Sequence, residues 1–124
     1  MKNCFLLITC LLSYVVLNAQ KLTGLWYSAD SSRLYEIREL PGNTFAAVIQ
    51  SSSRKNDSVG YPVLQNLLYN SRKKRYEGNI YSVTDNKPVF VKLFFDKNNY
   101  NKLILKISRM LVMDVAIKWI RAES

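Results

Sequence analysis

Paired carboxylates are the catalytic arrangement that this sequence leaves open. The chain has no histidine, and both of its cysteines lie within the first ten residues. The rest of the chain therefore cannot build an imidazole or thiolate metal site, or a His- or Cys-based nucleophile. Most of the nine acidic residues fall in turns or on outward strand positions, where carboxylates are solvated. Glu36 and Glu77 are the exceptions, and either one, facing a core, would have a raised pKa or an ion-pair partner. We expect no enzyme, no catalytic residue, no metal and no cofactor.

Four tyrosines could supply phenol groups to an apolar cavity. They are Tyr35, Tyr69, Tyr76 and Tyr81, each within or at the end of a β-rich run. A few polar groups on apolar walls are typical of small-molecule pockets. The four residues therefore predict a site for a small apolar or amphipathic ligand such as a lipid. The alternative is that they are ordinary strand aromatics.

Basic residues outnumber acidic ones and give the chain a formal charge of +9. Six of them cluster in two polar segments: Arg54 and Lys55, then Arg72, Lys73, Lys74 and Arg75. Such a basic surface favours an anionic envelope surface, meaning lipid, glycan or an acidic protein. The alternative is that both segments are solvated turns. No nucleic-acid recognition motif occurs, and we expect no nucleic-acid partner.

The two ends of the β-rich region carry a possible closing contact. Gly24 and Trp26 begin it, while Trp119 and Arg121 end it. The planar guanidinium of Arg121 could stack on the indole of Trp26. We expect these four residues to close one end of a barrel, which would leave the opposite end for a ligand.

The elements that position these residues are short strands. Beyond the first twenty residues no helix-period stretch occurs, whereas β-branched and aromatic residues recur in short runs between turn residues. Eight runs result: Leu22 to Ser28, Arg33 to Leu40, Thr44 to Gln50, Val63 to Asn70, Arg75 to Ser82, Val89 to Phe95, Lys102 to Ser108, and Val115 to Ala122. Tight turns without a crossover helix predict an all-β, eight-stranded, antiparallel up-and-down barrel.

The first residues read as a cleaved signal peptide. Lys2 precedes an apolar stretch that is shorter than a typical membrane-spanning helix. Ala19 is a small residue of the kind found at the cleavage site of a signal peptide. We therefore predict a signal peptide over 1–19 and one barrel domain over 20–124, exported to the periplasm or the extracellular space. A retained anchor, or a lipid anchor on Cys10, is a weaker alternative. The exported protein would contain no disulfide, and we expect a monomer.

An apolar segment, Met110 to Met113, separates the last two runs. It could continue a bent strand into the core, which we favour, or form an exposed lip that contacts an apolar partner.

The combination of Gly-x-Trp and a C-terminal strand arginine resembles the calycin signature of lipocalins and their relatives. A narrower resemblance is to the bacterial exported proteins grouped as domain of unknown function 2147. The residues that carry it, in the order of that family, are Gly24-Leu25-Trp26, Tyr35-Glu36-Ile37, Val59-Gly60, Val63-Leu64 with Leu67, Tyr76-Glu77-Gly78-Asn79-Ile80-Tyr81, Asp85-Asn86-Lys87 and Trp119-Ile120-Arg121. Asp114-Val115 and Ser82-Val83 depart from the family pattern. The resemblance implies a divergent member with a lipocalin-like barrel, and it implies no established activity.

Overall fold

A computed structural model describes residues 22–110 and 113–122 of the chain. Eight antiparallel strands form one closed barrel in sequence order, each paired with its neighbours and the last with the first. The strands are β1 (Gly24–Ser28), β2 (Arg33–Leu40), β3 (Thr44–Ser52), β4 (Pro62–Asn70), β5 (Arg75–Tyr81), β6 (Pro88–Phe95), β7 (Lys102–Met110) and β8 (Met113–Arg121). The prediction of an all-β, eight-stranded up-and-down barrel is confirmed.

Most strand bounds agree with the predicted ones within two residues. Strand β3 reaches Ser52, two residues further than expected, because Arg33 and Leu34 pair with Ser52 and Ser51 past a bulge. The predicted signal peptide lies outside the described residues, and so do Leu111 and Val112 with the side chains of the Met110–Met113 segment. Within the described part of the chain no helix is both long and apolar enough to cross a membrane.

Closure of the barrel depends on β1 and β8. Trp26 faces Arg121 in register, and Ser28 faces Trp119. The backbone N–H of Ala122 donates to the carbonyl of Leu25 at 2.9 Å and extends this pairing by one residue. This pairing covers the edges of the two strands from Trp26 to Ser28 and from Trp119 to Arg121, while β8 extends toward the mouth beyond the end of β1.

The core is the set of inward-facing side chains. Alternation along each strand sends every second residue inward, as β7 shows with Leu103, Leu105 and Ile107 buried. In β6, Val91 and Leu93 on one face are buried as well, while Phe90 on the other face is 43% exposed. The buried hydrophobic residues form one cluster that fills much of the barrel: Leu22, Trp26, Tyr35, Ile37, Phe45, Ala47, Ile49, Val63, Leu64, Leu67, Tyr76, Val91, Leu93, Leu103, Leu105, Ile107 and Trp119.

The alternating strand directions divide the connections between two ends. We call the end that carries the turns 41–43, 71–74 and 96–101 the base, and the end that carries 29–32, 53–61 and 82–87 the mouth. The N-terminal side of β1 and the C-terminal side of β8 also lie at the base. Residues at opposite ends of the barrel therefore cannot form one site.

A bulge in β4 brings two strands unusually close. Asn66 has a φ of 58°, and the register between β4 and β5 shifts between Gln65 and Leu68. At this point a Cβ on Gly78 of β5 would lie 2.9 Å from the carbonyl oxygens of Gln65 and Asn66. Only glycine fits there without displacing the backbone.

Candidate functional site

The base of the barrel is closed by Trp26 and Arg121. The Arg121 guanidinium lies 4.2 Å from the centre of the fully buried Trp26 indole, at cation–π distance. The indole Nε1 donates to the carbonyl of Leu22 at 3.0 Å. Burial lowers the pKa of Arg121, but an arginine stays charged at any physiological pH. Gly24 has a φ of 127°, and a Cβ there would lie 3.6 Å from the Arg121 guanidinium, so backbone conformation rather than crowding requires glycine.

Trp119 does not belong to this closed base. Its ring stacks on that of Tyr35, with 3.9 Å between centroids and 12° between planes. Along β8, Trp119 lies two residues nearer the mouth than Arg121, and it lines the cavity that opens there. Of the four residues predicted to close the barrel, Trp119 takes part through its backbone, which pairs with Ser28, while its side chain lies apart from the Trp26–Arg121 contact.

The mouth contains two adjoining cavities of about 450 and 440 Å³. They share Arg33, Arg54, Ile80, Tyr81 and Ile117, so they are two lobes of one opening. The remaining apolar lining is Val63, Val83, Val89, Ile107, Tyr35 and Trp119. Volumes of this size fall in the range of small-molecule sites. The barrel is thus open above the Tyr35–Trp119 stack and packed with side chains below it.

One side of the cavity rim is an ion pair. Arg33 Nε and Nη2 donate to the two carboxylate oxygens of Asp57 at 2.5 and 2.7 Å, and Ser52 Oγ donates to the same carboxylate at 2.7 Å. The hydrogen bonds from Arg33, more than any other interaction, lower the pKa of Asp57 to about 2. In turn, the hydrogen bonds to Asp57 raise the pKa of Arg33. Burial raises the pKa of Tyr35 beside them, so near neutral pH the rim presents a charged pair and a protonated phenol.

A second ion pair joins the mouth loops. Asp30 Oδ1 accepts from Ser28 Oγ and from the backbone and side chain of Ser32 at 2.7 to 3.0 Å, while Arg54 Nη2 lies 3.1 Å from Asp30 Oδ2. These hydrogen bonds, led by that of the Ser32 side chain, hold the pKa of Asp30 well below its usual range. Ser53 N also donates to the carbonyl of Ser32 at 2.9 Å. The polar 53–61 loop is therefore tied to the β1–β2 turn.

The four predicted tyrosines separate between the two ends. Tyr35 and Tyr81 line the mouth cavity. Tyr76 is buried toward the base, where its ring contacts Phe45 at 5.5 Å and Tyr69 at 5.0 Å between centroids. Burial raises the pKa of Tyr76 to about 12. Tyr69 is 51% exposed and Tyr76 lies among the base aromatics. The structure therefore brings Tyr35 and Tyr81 together at the mouth and does not bring Tyr69 and Tyr76 to the same cavity.

The predicted basic residues are divided in the same way. Arg54 and Lys55 lie at the mouth cavity, whereas Arg72, Lys73, Lys74 and Arg75 lie in and beside the 71–74 turn at the base. Arg75 is ion-paired with Glu77 at 2.7 Å. The six residues therefore do not form one basic surface.

The two strand glutamates point outward. Glu77 accepts from Asn70 and Arg75, and these hydrogen bonds lower its pKa. Glu36 is ion-paired with Arg38. Both are therefore paired carboxylates on the outer face of the barrel. Among residues 22–110 and 113–122, no three acidic, histidine or cysteine side chains lie close enough to hold a metal ion.

The sequence reasoning missed the ion pair at the rim. Arg33 shares its strand face with Tyr35 and Ile37, so simple alternation along β2 could have placed it at the barrel opening. Asp57 lies in a polar loop 24 residues away, and nothing local in the sequence indicates its partner.

Comparison of the chain with known proteins identifies no relative. No family model, no curated protein and no solved structure matches the chain. The resemblance to the domain of unknown function 2147 family stays a prediction.

Proposed function

We propose that this chain is an exported, non-enzymatic barrel protein that binds a small apolar or amphipathic molecule in its mouth cavity. One observation carries the proposal: an opening with lobes of about 450 and 440 Å³ lies above a filled lower barrel. Export rests on the sequence pattern of residues 1–19, and the lipocalin-like description rests on the resemblance of the end motifs.

The lining of the cavity favours an amphipathic ligand. Ile80, Ile117 and Trp119 offer apolar contact, and burial of apolar ligand surface stabilises a complex by about 25 cal/mol per Å². The rim adds guanidinium and phenol donors. Because Arg33 and Arg54 are already paired with Asp57 and Asp30, the rim carries little net charge. A ligand with an apolar body and a neutral or weakly anionic polar group fits this arrangement best.

The rim carboxylates support a binding role over catalysis. A general acid or base works best when its pKa is close to the working pH. Asp57 has a pKa of about 2, and the pKa of Asp30 is held low by its donors. Both are therefore ionised and hydrogen-bonded near neutral pH, in the role of structural acceptors.

The proposal is tested by titrating the purified protein with a fluorescent apolar dye and displacing the dye with alkyl compounds of increasing length. Dye uptake is expected in the wild type. Filling the cavity with Ile117→Trp or Ile80→Phe is expected to weaken uptake at least about tenfold, the effect of losing roughly 1.4 kcal/mol of binding.

A matched control is Ile120→Trp, on the same strand as Ile117 but on the outer face, where the side chain is 42% exposed. This control is expected to bind dye like the wild type. Equal uptake by the cavity-filling variants and the control would place the dye outside the mouth and contradict the proposal. Thermal unfolding of each variant establishes that the barrel is intact.

A further inference from the structure

The outer surface of strands β6, β7 and β8, which we call the β6–β8 wall, combines lysines with large apolar side chains. Its cationic residues are Lys92, Lys102, Lys106 and Lys118, and its large apolar residues are Phe90, Phe94, Ile104 and Ile120. The outward positions of these strands whose side chains the structure describes include no carboxylate. The wall lies on the side of the barrel, between mouth and base.

Strand register makes this set one continuous patch. Phe94 faces Ile104 and Ile104 faces Lys118, while Lys102 faces Ile120. Neighbouring strands lie about 4.8 Å apart, and outward residues on one strand are about 6.6 Å apart. Every lysine of the wall therefore has an apolar side chain beside it, so that charged and apolar groups alternate over the same outer surface.

Not all of these lysines contribute equally to the charge of the wall. Lys92 faces Lys106 of β7 on one side and Glu77 of β5 on the other, so the sheet itself places a carboxylate beside it. Lys106 faces Ala116 of β8, and its ammonium lies 5.3 Å from the centre of the Phe94 ring. The positive charge of the wall therefore comes mainly from Lys102, Lys106 and Lys118, and charge complementarity indicates an anionic partner over these three residues.

The same features argue against other partners. A second copy of the wall would bring two lysine-rich surfaces together and would be repelled. A peptide that adds as a strand binds along a sheet edge, and it would not cover the outward side chains of the wall. An acidic polysaccharide would neutralise the lysines but would leave Phe90 and Ile120, which are 43% and 42% exposed, without an apolar partner.

We propose that the β6–β8 wall is the docking surface for an anionic lipid bilayer. Lipid phosphates pair with the lysine ammonium groups, and Phe90 and Ile120 reach the boundary between head groups and acyl chains. This surface contact is separate from ligand binding in the mouth and does not depend on it.

The test measures co-sedimentation of the purified protein with vesicles that contain phosphatidylglycerol, and with vesicles of phosphatidylcholine alone. Wild type is expected to bind only the anionic vesicles. Binding should weaken as the salt is raised from about 0.05 M to about 0.5 M, because the Debye length shortens roughly threefold. The double variant Lys106→Gln/Lys118→Gln is expected to lose about 25-fold in apparent affinity, since each cation near a charged surface contributes a factor of about five.

The matched control is Lys73→Gln/Lys74→Gln, which removes the same charge from the exposed turn at the base. It should change binding by less than about threefold, as expected for charges held away from the bilayer surface by more than a Debye length. Equal losses of affinity in the two double variants would mean that binding depends on net charge alone, and would overturn the proposal that the β6–β8 wall is the docking surface.

Two further outcomes decide the class of partner. Failure of wild type to bind anionic vesicles at about 0.05 M salt would overturn the proposal, as would binding to dextran sulfate in their place. Ile120→Ser should reduce vesicle binding without affecting dye uptake in the mouth. Because the lysine positions are on the outer surface, the thermal midpoint of each variant should stay close to that of the wild type.

Discussion

Arg33 and Asp57 form a bidentate ion pair across 24 residues of sequence, with donor–acceptor distances of 2.5 and 2.7 Å. Planar fork-to-fork geometry makes such pairs among the stronger polar interactions in proteins. The Asp57 side chain is only 3% exposed, so neither partner can be removed without leaving the other poorly solvated. The pair holds the 53–61 loop against β2 at the mouth.

Asp57→Asn is expected to lower the free energy of unfolding by about 2 kcal/mol, the range for losing a charge-assisted hydrogen bond. The change keeps the shape of the side chain but removes its charge, so Arg33 loses its counter-ion. Denaturant unfolding at pH 7 measures the loss. Asp85→Asn, on an exposed loop at the same end, is the control and should change stability by less than about 0.5 kcal/mol.

The same pair makes stability fall in acid. Asp57 has a pKa of about 2 in the folded protein against an ordinary value of 3.8. Its stabilising effect is therefore fully present above about pH 4 and is lost as the pH falls toward 2. Unfolding curves between pH 5 and pH 2 should show a smaller decrease for Asp57→Asn than for wild type. Parallel pH profiles would mean that the ion pair does not stabilise the fold.

Arg121→Ala is expected to destabilise the barrel by about 1 to 3 kcal/mol. The guanidinium covers the Trp26 indole at 4.2 Å, so its loss removes both packing and cation–π attraction. Lys118→Ala, also on β8 but exposed, serves as the control and should cost less than about 0.5 kcal/mol. A wild-type stability for Arg121→Ala would mean that closure of the base does not depend on this contact.

Gly78→Ala is expected to destabilise the barrel by about 1 to 3 kcal/mol through overpacking. The added methyl group would lie 2.9 Å from two backbone carbonyl oxygens of the β4 bulge, which cannot move as a flexible side chain would. Asn79→Ala, the next residue and on the outer face, tests whether any change in β5 has the same effect. Chemical denaturation of both variants should show a loss for Gly78→Ala alone.

Local patterns in the sequence suffice for the strands and for much of the core. Alternation has a period of two residues, so Leu103, Leu105 and Ile107 can be assigned to one face without knowledge of the rest of the barrel. Closure of the barrel can also be predicted, because only the first and last strands remain to be paired once the seven pairs of consecutive strands are matched. The Trp26 and Arg121 side chains then meet because they share a register position.

The candidate site is harder to predict because it depends on height within the barrel. Tyr35 and Tyr76 are both inward-facing and buried, yet one lies below the mouth cavity and the other among the base aromatics. The position of a residue between base and mouth depends on the register and the bulges of several strand pairs. The sequence of a single strand does not specify these. Asp57 adds a loop contact that no periodicity encodes. Register summed over several strands and contacts between distant loops are therefore what the sequence pattern does not provide.

Tyr76→Phe is expected to change how the protein behaves in alkali. Burial raises the pKa of Tyr76 to about 12 from an ordinary value of 10.0, so the folded barrel favours the protonated phenol. This preference has no effect below about pH 10, and it makes the wild type lose stability as the pH rises from 10 toward 12. Absorbance titration of phenolate should show a late phase that is smaller by one tyrosine in Tyr76→Phe, while Tyr35, whose pKa burial also raises, still contributes to that phase. The variant should also lose less stability than the wild type over that range. Tyr100→Phe removes a phenol at a 59% exposed position and keeps Tyr76, so its stability should fall in alkali as that of the wild type does. A late phase of wild-type size in Tyr76→Phe would contradict the burial of this phenol at the base.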